Sequence, residues 1–347
     1  MADWLERTDV GDPARIHAEG LATRAAIEDA RDQVAACFGA RPREVVFTSG
    51  ATESIATACW GALQRGPHSV ASEVEHSAVR EWTRRGDHTL VGVDRGGRID
   101  PQGLLDAVRV GETGVVHCQM VNHEVGVVQP VAEVVEAVGE RALVHVDAAQ
   151  AAGHLTLSFR GSGVDLLSVS GHKLGGPTGI GALLIRRGLR INPLLVGGDQ
   201  ERARRAGIEN VAGIIGFAAA CGGMSVIGEA AQQRRLTDRI VAWADAATDV
   251  EVLGDRDHRC PHLVCLAIAD VEPQPILLGL DGLGVAVHSG SSCSSEAFEP
   301  SPVLVAMGVD AQHSLRISVG WSSTDADVDR LVSGLDRVLA DLRSLRT

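Results

Sequence analysis

Lys173 stands in the run Ser168-Val169-Ser170-Gly171-His172-Lys173-Leu174-Gly175-Gly176-Pro177, directly behind the apolar stretch Val164-Asp165-Leu166-Leu167. A lysine among serines and glycines packs poorly and is well suited to chemistry. A partly desolvated ammonium gives up its proton readily, and the free amine forms a Schiff base with an aldehyde. Pyridoxal phosphate (PLP) is the aldehyde that biology attaches in this way. Such a cofactor needs a phosphate cradle, a partner for its pyridine nitrogen and a group that stacks on its ring. Candidates for all three precede Lys173.

The first is Phe47-Thr48-Ser49-Gly50-Ala51-Thr52-Glu53-Ser54, which follows a strand and opens a helix. Small residues let backbone N–H groups approach an anion, a helix N-terminus favours negative charge, and Thr52 adds a hydroxyl. The same pattern is also an ordinary helix N-cap. The second is Val144-His145-Val146-Asp147-Ala148-Ala149-Gln150. An Asp at the end of an apolar strand is costly if buried unpaired. Against a pyridinium N–H it is stabilised and keeps that nitrogen protonated. Gln150 is within reach of the ring oxygen, although Asp147 can equally cap the turn that follows. The third is Glu75-His76-Ser77-Ala78, where His76 can stack on a ring and move protons, or be one more ordinary histidine among 13.

The last group lies far downstream. His288-Ser289-Gly290-Ser291-Ser292-Cys293-Ser294-Ser295 sets a thiol in a run of small polar residues that cannot bury it. Cys37, Cys59, Cys118 and Cys265 read instead as inert, buried hydrophobes. In Leu315-Arg316-Ile317-Ser318-Val319 an arginine inside an apolar strand calls for an anion, and a substrate carboxylate would serve.

These residues need a scaffold. Runs that read as strands are Val45-Val46-Phe47, Val115 to Cys118, Leu143 to Val146, Leu166 to Val169 and Ile180 to Ile185. Ala22 to Cys37 and Val131 to Val138 have helical spacing between them. The alternation predicts an α/β fold around a mostly parallel sheet. Val328, Leu331, Val332, Leu335, Val338, Leu339 and Leu342 form the apolar stripe of a long C-terminal helix over a smaller domain. The expected limit is near Ala220, before a charged helix from Gln232 to Asp245. This gives a large domain at 11–220 and a small one at 221–347.

The chain has 347 residues, of which 45% are hydrophobic, enough for a sizeable core. A net charge of −13 argues against direct nucleic-acid binding, and 3% aromatics without a tyrosine argue against a base-stacking platform. Seven scattered cysteines without a CxxC pair fit a reducing compartment. Met1-Ala2-Asp3-Trp4-Leu5-Glu6-Arg7 lacks the apolar core of a leader, and no stretch is apolar for the roughly 18 residues of a membrane span. The expectation is a cytoplasmic chain.

Taken in order, Ser49 to Thr52, Glu75-His76, Asp147 to Gln150, Ser170 to Lys173 and the Cys293 loop resemble the cysteine desulfurases, PLP enzymes of fold type I in the class V aminotransferase group. The resemblance runs from Gly11-Asp12-Pro13 to the C-terminal helix. The segment Ser291 to Ser295 with Glu299-Pro300-Ser301 looks like the long cysteine loop of the housekeeping branch. It implies a large domain with a mostly parallel mixed sheet and a smaller α+β domain. Lys173 would hold PLP and shuttle the α-proton. Asp147 would pair with the pyridine nitrogen, and His76 would stack on the ring. Ala51, Thr52, Ser170 and His172 would bind phosphate and Gln150 the ring oxygen. Arg316 would clamp the carboxylate of L-cysteine, and Asn122 and His123 occupy the positions that contact cofactor and substrate. Cys293 would attack the substrate sulfur, release alanine and pass its persulfide to an acceptor protein. The family also implies a homodimer with PLP sites near the interface.

The chain departs from this pattern in four places. The N-terminal strand with its Ala-Thr-Thr run has no counterpart. His123 replaces a second asparagine in Val121-Asn122-His123-Glu124-Val125-Gly126. Ile208 replaces a threonine that reaches the partner's phosphate, which shifts that expected contact to Arg205. Gly175 replaces an aromatic. These bear on cofactor affinity and substrate positioning. Alternative readings are a PLP-dependent C–S lyase or aminotransferase that does not use the thiol, and a partner-dependent PLP-binding scaffold. Iron–sulfur clusters, tRNA thiolation, DNA phosphorothioation and natural products are all compatible destinations for the sulfur.

Overall fold

The computed structural model describes residues 1–289 and 300–345. Its larger sheet has seven strands: β1 (Val45–Thr48), β2 (His68–Ser72), β3 (Asp87–Val91), β4 (Thr113–Gln119), β5 (Leu143–Asp147), β6 (Leu166–Ser170) and β7 (Gly181–Ile185). The order is β1-β7-β6-β5-β4-β2-β3. Strands β2 to β6 pair in parallel, while β7 runs antiparallel to both β6 and β1.

The central strands β4, β5 and β6 are buried along their whole length, as strands covered on both faces must be. Alternation sorts their side chains. Val144 and Val146 join Val116, Cys118, Leu167 and Val169 in one core, with the helices Ala18–Cys37, Val131–Val138 and Val211–Gly223. Leu143 joins Val115, Leu166 and Leu183 in another core, with Ala58 and Ala62 of the helix Ala51–Leu63. His145 and Asp147 share the face of Leu143. There His145 Nε2 meets Ser168 Oγ at 2.8 Å and His145 Nδ1 meets His117 Nδ1 at 2.9 Å. Burial holds the His117 imidazole down to about 4, so this polar layer stays neutral.

The smaller sheet is antiparallel, in the order β10-β11-β9-β8, from β8 (Val250–Leu253), β9 (Leu263–Ile268), β10 (His288–Ser289) and β11 (Ser314–Ser318). Its core joins Val264, Leu266 and Leu315 to Leu236, Ile276 and Leu335 of the helices Val226–Ala246, Pro273–Asp281 and Asp325–Ser344. Thr324 and Asp327 cap the start of the last helix with a capping box. The helix Val211–Gly223 packs on Ala18–Cys37, whereas Val226–Ala246 bends away by 73° onto β8 and β9. We propose this bend as the domain limit. Among the described residues no single helix is long and apolar enough to cross a membrane.

Because β1, β2 and β4 to β6 point the same way, their carboxyl ends form one rim. In open α/β sheets ligands bind at that rim.

Candidate active site

The rim encloses a cavity of about 520 Å³, lined by Gly50, Ala51, Thr52, His76, His123, Asp147, Gln150, Ser170, His172 and Lys173, with Gln119 and Thr178 among the others. At one end lies the N-terminus of the 13-residue helix Ala51–Leu63. Gly50 precedes it at φ 151, and no side chain caps the first turn. A Cβ on Gly181 would lie 2.7 Å from Gly50 Cα, so β7 approaches this loop only because it begins with glycine. The Ser170 hydroxyl meets His172 Nδ1 at 2.9 Å beside the loop. Burial and the neighbouring Lys173 charge lower the His172 pKa.

Glu53 locks the cradle from below. Its carboxylate accepts from Ser49 N at 2.8 Å and from Arg205 Nε at 2.9 Å. Burial works against its charge, but the Arg205 and Ser49 bonds prevail and its pKa falls. Arg205, expected to reach a partner's cofactor, is thus engaged within its own chain. Ile208 beside it is 69% exposed.

Asp147 is buried at the end of β5, and its Oδ1 accepts from Ala149 N at 2.9 Å, so it caps the turn and lines the cavity at once. Gln150 follows on the same wall, with its Nε2 2.9 Å from His262 Nε2. His76 caps the helix Ser77–Thr83, and its Nδ1 accepts from Ala78 N at 3.1 Å, which fixes the ring. The His123 ring stands edge-on to it, centroids 5.0 Å apart.

Lys173 lies in the 3₁₀ turn Gly171–Leu174 after β6. Both Lys173 and His172 line the solvent-open mouth of the cavity in the single chain. Gly175 ends the turn at φ 81, a conformation that disfavours the family's aromatic, and Trp321 Nε1 lies 3.9 Å from where its Cβ would be. Arg316 comes from β11 of the smaller sheet, and its Nη1 donates to the His123 carbonyl at 3.1 Å.

Asn122 does not line the cavity. It is fully buried, its Oδ1 accepts from Glu124 N and Val125 N, both at 2.9 Å, and its Nδ2 donates to Val74 O at 3.1 Å. Its amide holds the turn that presents His123, so in this chain the residue expected to contact cofactor and substrate stands behind the wall of the cavity. Cys293 lies outside the described residues. Of the described thiols, Cys59, Cys118, Cys221, Cys260 and Cys265 are buried, and Cys37 is half-buried rather than enclosed as expected. Burial pushes Cys59 and Cys265 up to about 12 and Cys260 up to about 11, far from the thiolate a nucleophile needs.

Glu75 and Gln119 belong to the site without having been marked in the sequence. Glu75 is fully buried beneath the cavity, its Oε1 accepting from Gln119 N at 2.6 Å. Burial, then the charge of Asp147, push its carboxyl up to about 8. The signal available was its place beside His76, which reads equally well as a surface acid.

The donor set fits PLP: an uncapped helix N-terminus for the phosphate, a buried carboxylate for the pyridine nitrogen, a fixed imidazole for the ring and a lysine at the mouth. Residues 8–331 match the family model described as aminotransferase class-V. The chain is 39% identical over 352 residues to the cysteine desulfurase IscS of Dictyoglomus turgidum, covering 96% of this chain and 89% of that relative. Among solved structures, a NifS-like protein superposes with a TM-score of 0.89 at 30% identity, covering 96% of this chain and 93% of that one. SspA, solved in complex with cysteine, gives a TM-score of 0.79 at 27% identity, covering 92% of this chain and 93% of its own. The geometry of the rim and these likenesses agree, and the chain belongs to the class-V aminotransferase family, among the cysteine desulfurases.

Proposed function

We propose that this protein is a PLP-dependent cysteine desulfurase that converts L-cysteine to L-alanine and hands the sulfur to an acceptor protein. The observation that carries this reading is the convergence of Lys173, Asp147, His76 and the open helix N-terminus of Ala51–Leu63 on one cavity. When bound, PLP supplies an electron sink that makes the substrate's α-proton labile. Lys173 offers the amine that holds it and that moves this proton. Asp147 would accept from the pyridine N–H, with one oxygen already fixed by Ala149 N. The N–H groups of Ala51 and Thr52, with Ser170 and His172, would hold the phosphate. Arg316, anchored on the His123 carbonyl, receives the substrate carboxylate from the smaller sheet. The resemblance assigns the sulfur-accepting thiol to Cys293, and the burial of the described cysteines, most of them complete, supports that choice by contrast.

We further assign a homodimer. Ile16, Val196 and Ile208 are 92%, 77% and 69% exposed. The segments that carry Ile16 and Ile208 border a second cavity, apart from the active-site one, lined by Pro13, Ala14, Gln200 and Glu209.

The test uses purified protein with PLP and L-cysteine. Alanine should form, and mass spectrometry should place one added sulfur on the peptide that contains Cys293. Lys173→Ala should lower alanine formation by about 10³-fold or more. Cys293→Ser should abolish persulfide and turnover. Undiminished turnover in that variant would turn the reading into a lyase that does not use the thiol.

A further inference from the structure

Behind the Gln150 wall of the cavity lies a buried polar cluster that the steps above do not use. His154 follows the turn after β5, His262 precedes β9, and Gln233 sits on the helix Val226–Ala246, so the cluster bridges the two sheets. The His154 and His262 rings stack, centroids 3.5 Å apart and planes 12° apart. His154 Nδ1 is 3.0 Å from Gln233 Oε1, and His262 Nε2 is 2.9 Å from Gln150 Nε2. His262 is 2% exposed and Gln233 1%.

Burial, the neighbouring ring and the Lys173 charge all hold His262 well below the ordinary imidazole range. A neutral imidazole carries one ring hydrogen, so its contact with Gln150 has two solutions. In the first, the Gln150 amide NH₂ donates to a bare Nε2. The ring hydrogen then sits on Nδ1, which is buried without a partner among the described residues. An unmet buried donor is one of the costlier defects a core can hold. In the second, His262 Nε2–H donates to the amide oxygen. A half-turn about the last torsion of Gln150 exchanges its oxygen and nitrogen and moves no other atom. That solution strands no hydrogen and turns the Gln150 NH₂ into the cavity.

We propose that His262 is a positioning residue whose Nε2–H fixes the Gln150 amide, so that the amide NH₂ faces the cavity beside Asp147 and donates to the ring oxygen of the cofactor. His154 sets the plane of His262 by stacking, and Gln233 holds His154. The inference rests on the reading of this cavity as the PLP site. It adds that one cofactor contact is set from the smaller sheet.

The test titrates cofactor-free protein with PLP and follows the visible absorption band and its pH midpoint. His262→Phe keeps the ring volume and the stack but removes both nitrogens. It should weaken PLP binding about five- to tenfold and shift the midpoint. His262→Gln, whose side-chain amide can place an N–H donor at the position of the imidazole Nε2, should recover most of the loss. Gln150→Leu should weaken binding to a similar degree, and the double variant should be no worse than Gln150→Leu alone. Thermal melts of the cofactor-free variants identify any that fail to fold, and His262→Leu replaces the Phe variant in that case. Unchanged binding in His262→Phe, or losses that add in the double variant, would overturn the inference and leave the PLP site standing. If wild-type protein takes up no PLP at all, the reading of the cavity and this inference fall together.

Discussion

Glu75 holds its proton at neutral pH, because burial and then the charge of Asp147 raise its carboxyl from 4.5 to about 8. Between those values the folded chain binds a proton that the unfolded chain releases. Stability contributed at this residue is therefore complete below the unfolded value and is lost as pH rises toward the folded one. Cofactor-free Glu75→Gln protein should accordingly lose less stability than the parent between about pH 5 and about pH 8.5. The difference should be on the order of 4 kcal/mol at most, read from urea unfolding across that range. Parallel pH dependences would show that Glu75 ionises freely. At this scale the sequence was legible wherever a residue's chemistry conflicted with packing. Lys173 among glycines and Asp147 ending an apolar strand both met that test. Asn122 was not legible, because nothing in its neighbours reveals that its amide is consumed by Glu124, Val125 and Val74.

Among the elements, the turn at Glu201, Arg202 and Ala203 is the most strained, with φ of 50°, 60° and 59°. Non-glycine residues pay for left-handed backbone, and the buried Glu201 carboxylate holds this one in place. It grips Arg31 at 2.7 and 2.8 Å and accepts from Phe47 N on the edge strand β1 at 3.0 Å. Glu201→Ala should destabilise by about 3–5 kcal/mol, since Arg31 would stay buried without its partner. Exposed Ala203→Gly should stabilise by about 1 kcal/mol. Both are read from denaturant midpoints, and a neutral Ala203→Gly would argue that the turn is unstrained. No sequence signal announces this turn, because its support comes from 170 residues away. The same distinction sorts the strands. Strands β4 to β7 were legible as aliphatic runs. The polar His68-Ser69-Val70-Ala71-Ser72 of β2 was not, because His68 is satisfied across the sheet by Thr113 and Thr89 at 2.8 and 3.0 Å.

For the whole molecule, the exposed Ile16, Val196 and Ile208 predict a dimer in sedimentation velocity, and Ile208→Asp should weaken it by about tenfold or more. A monomer at micromolar concentration would refute the assignment. The bond from Arg316 to the His123 carbonyl spans 193 residues, and the contact of Gln150 with His262 spans 112. These distances also set an order in time. During synthesis the phosphate cradle and Lys173 leave the ribosome while β9 and β11 are still unmade. Contacts of such separation form late in folding, after the local helices and the parallel sheet have condensed. The nascent chain therefore presents Lys173 before it owns the wall that carries Arg316 and His262. Translation arrested short of β11 would leave a chain that carries Lys173 without the wall that supplies Arg316.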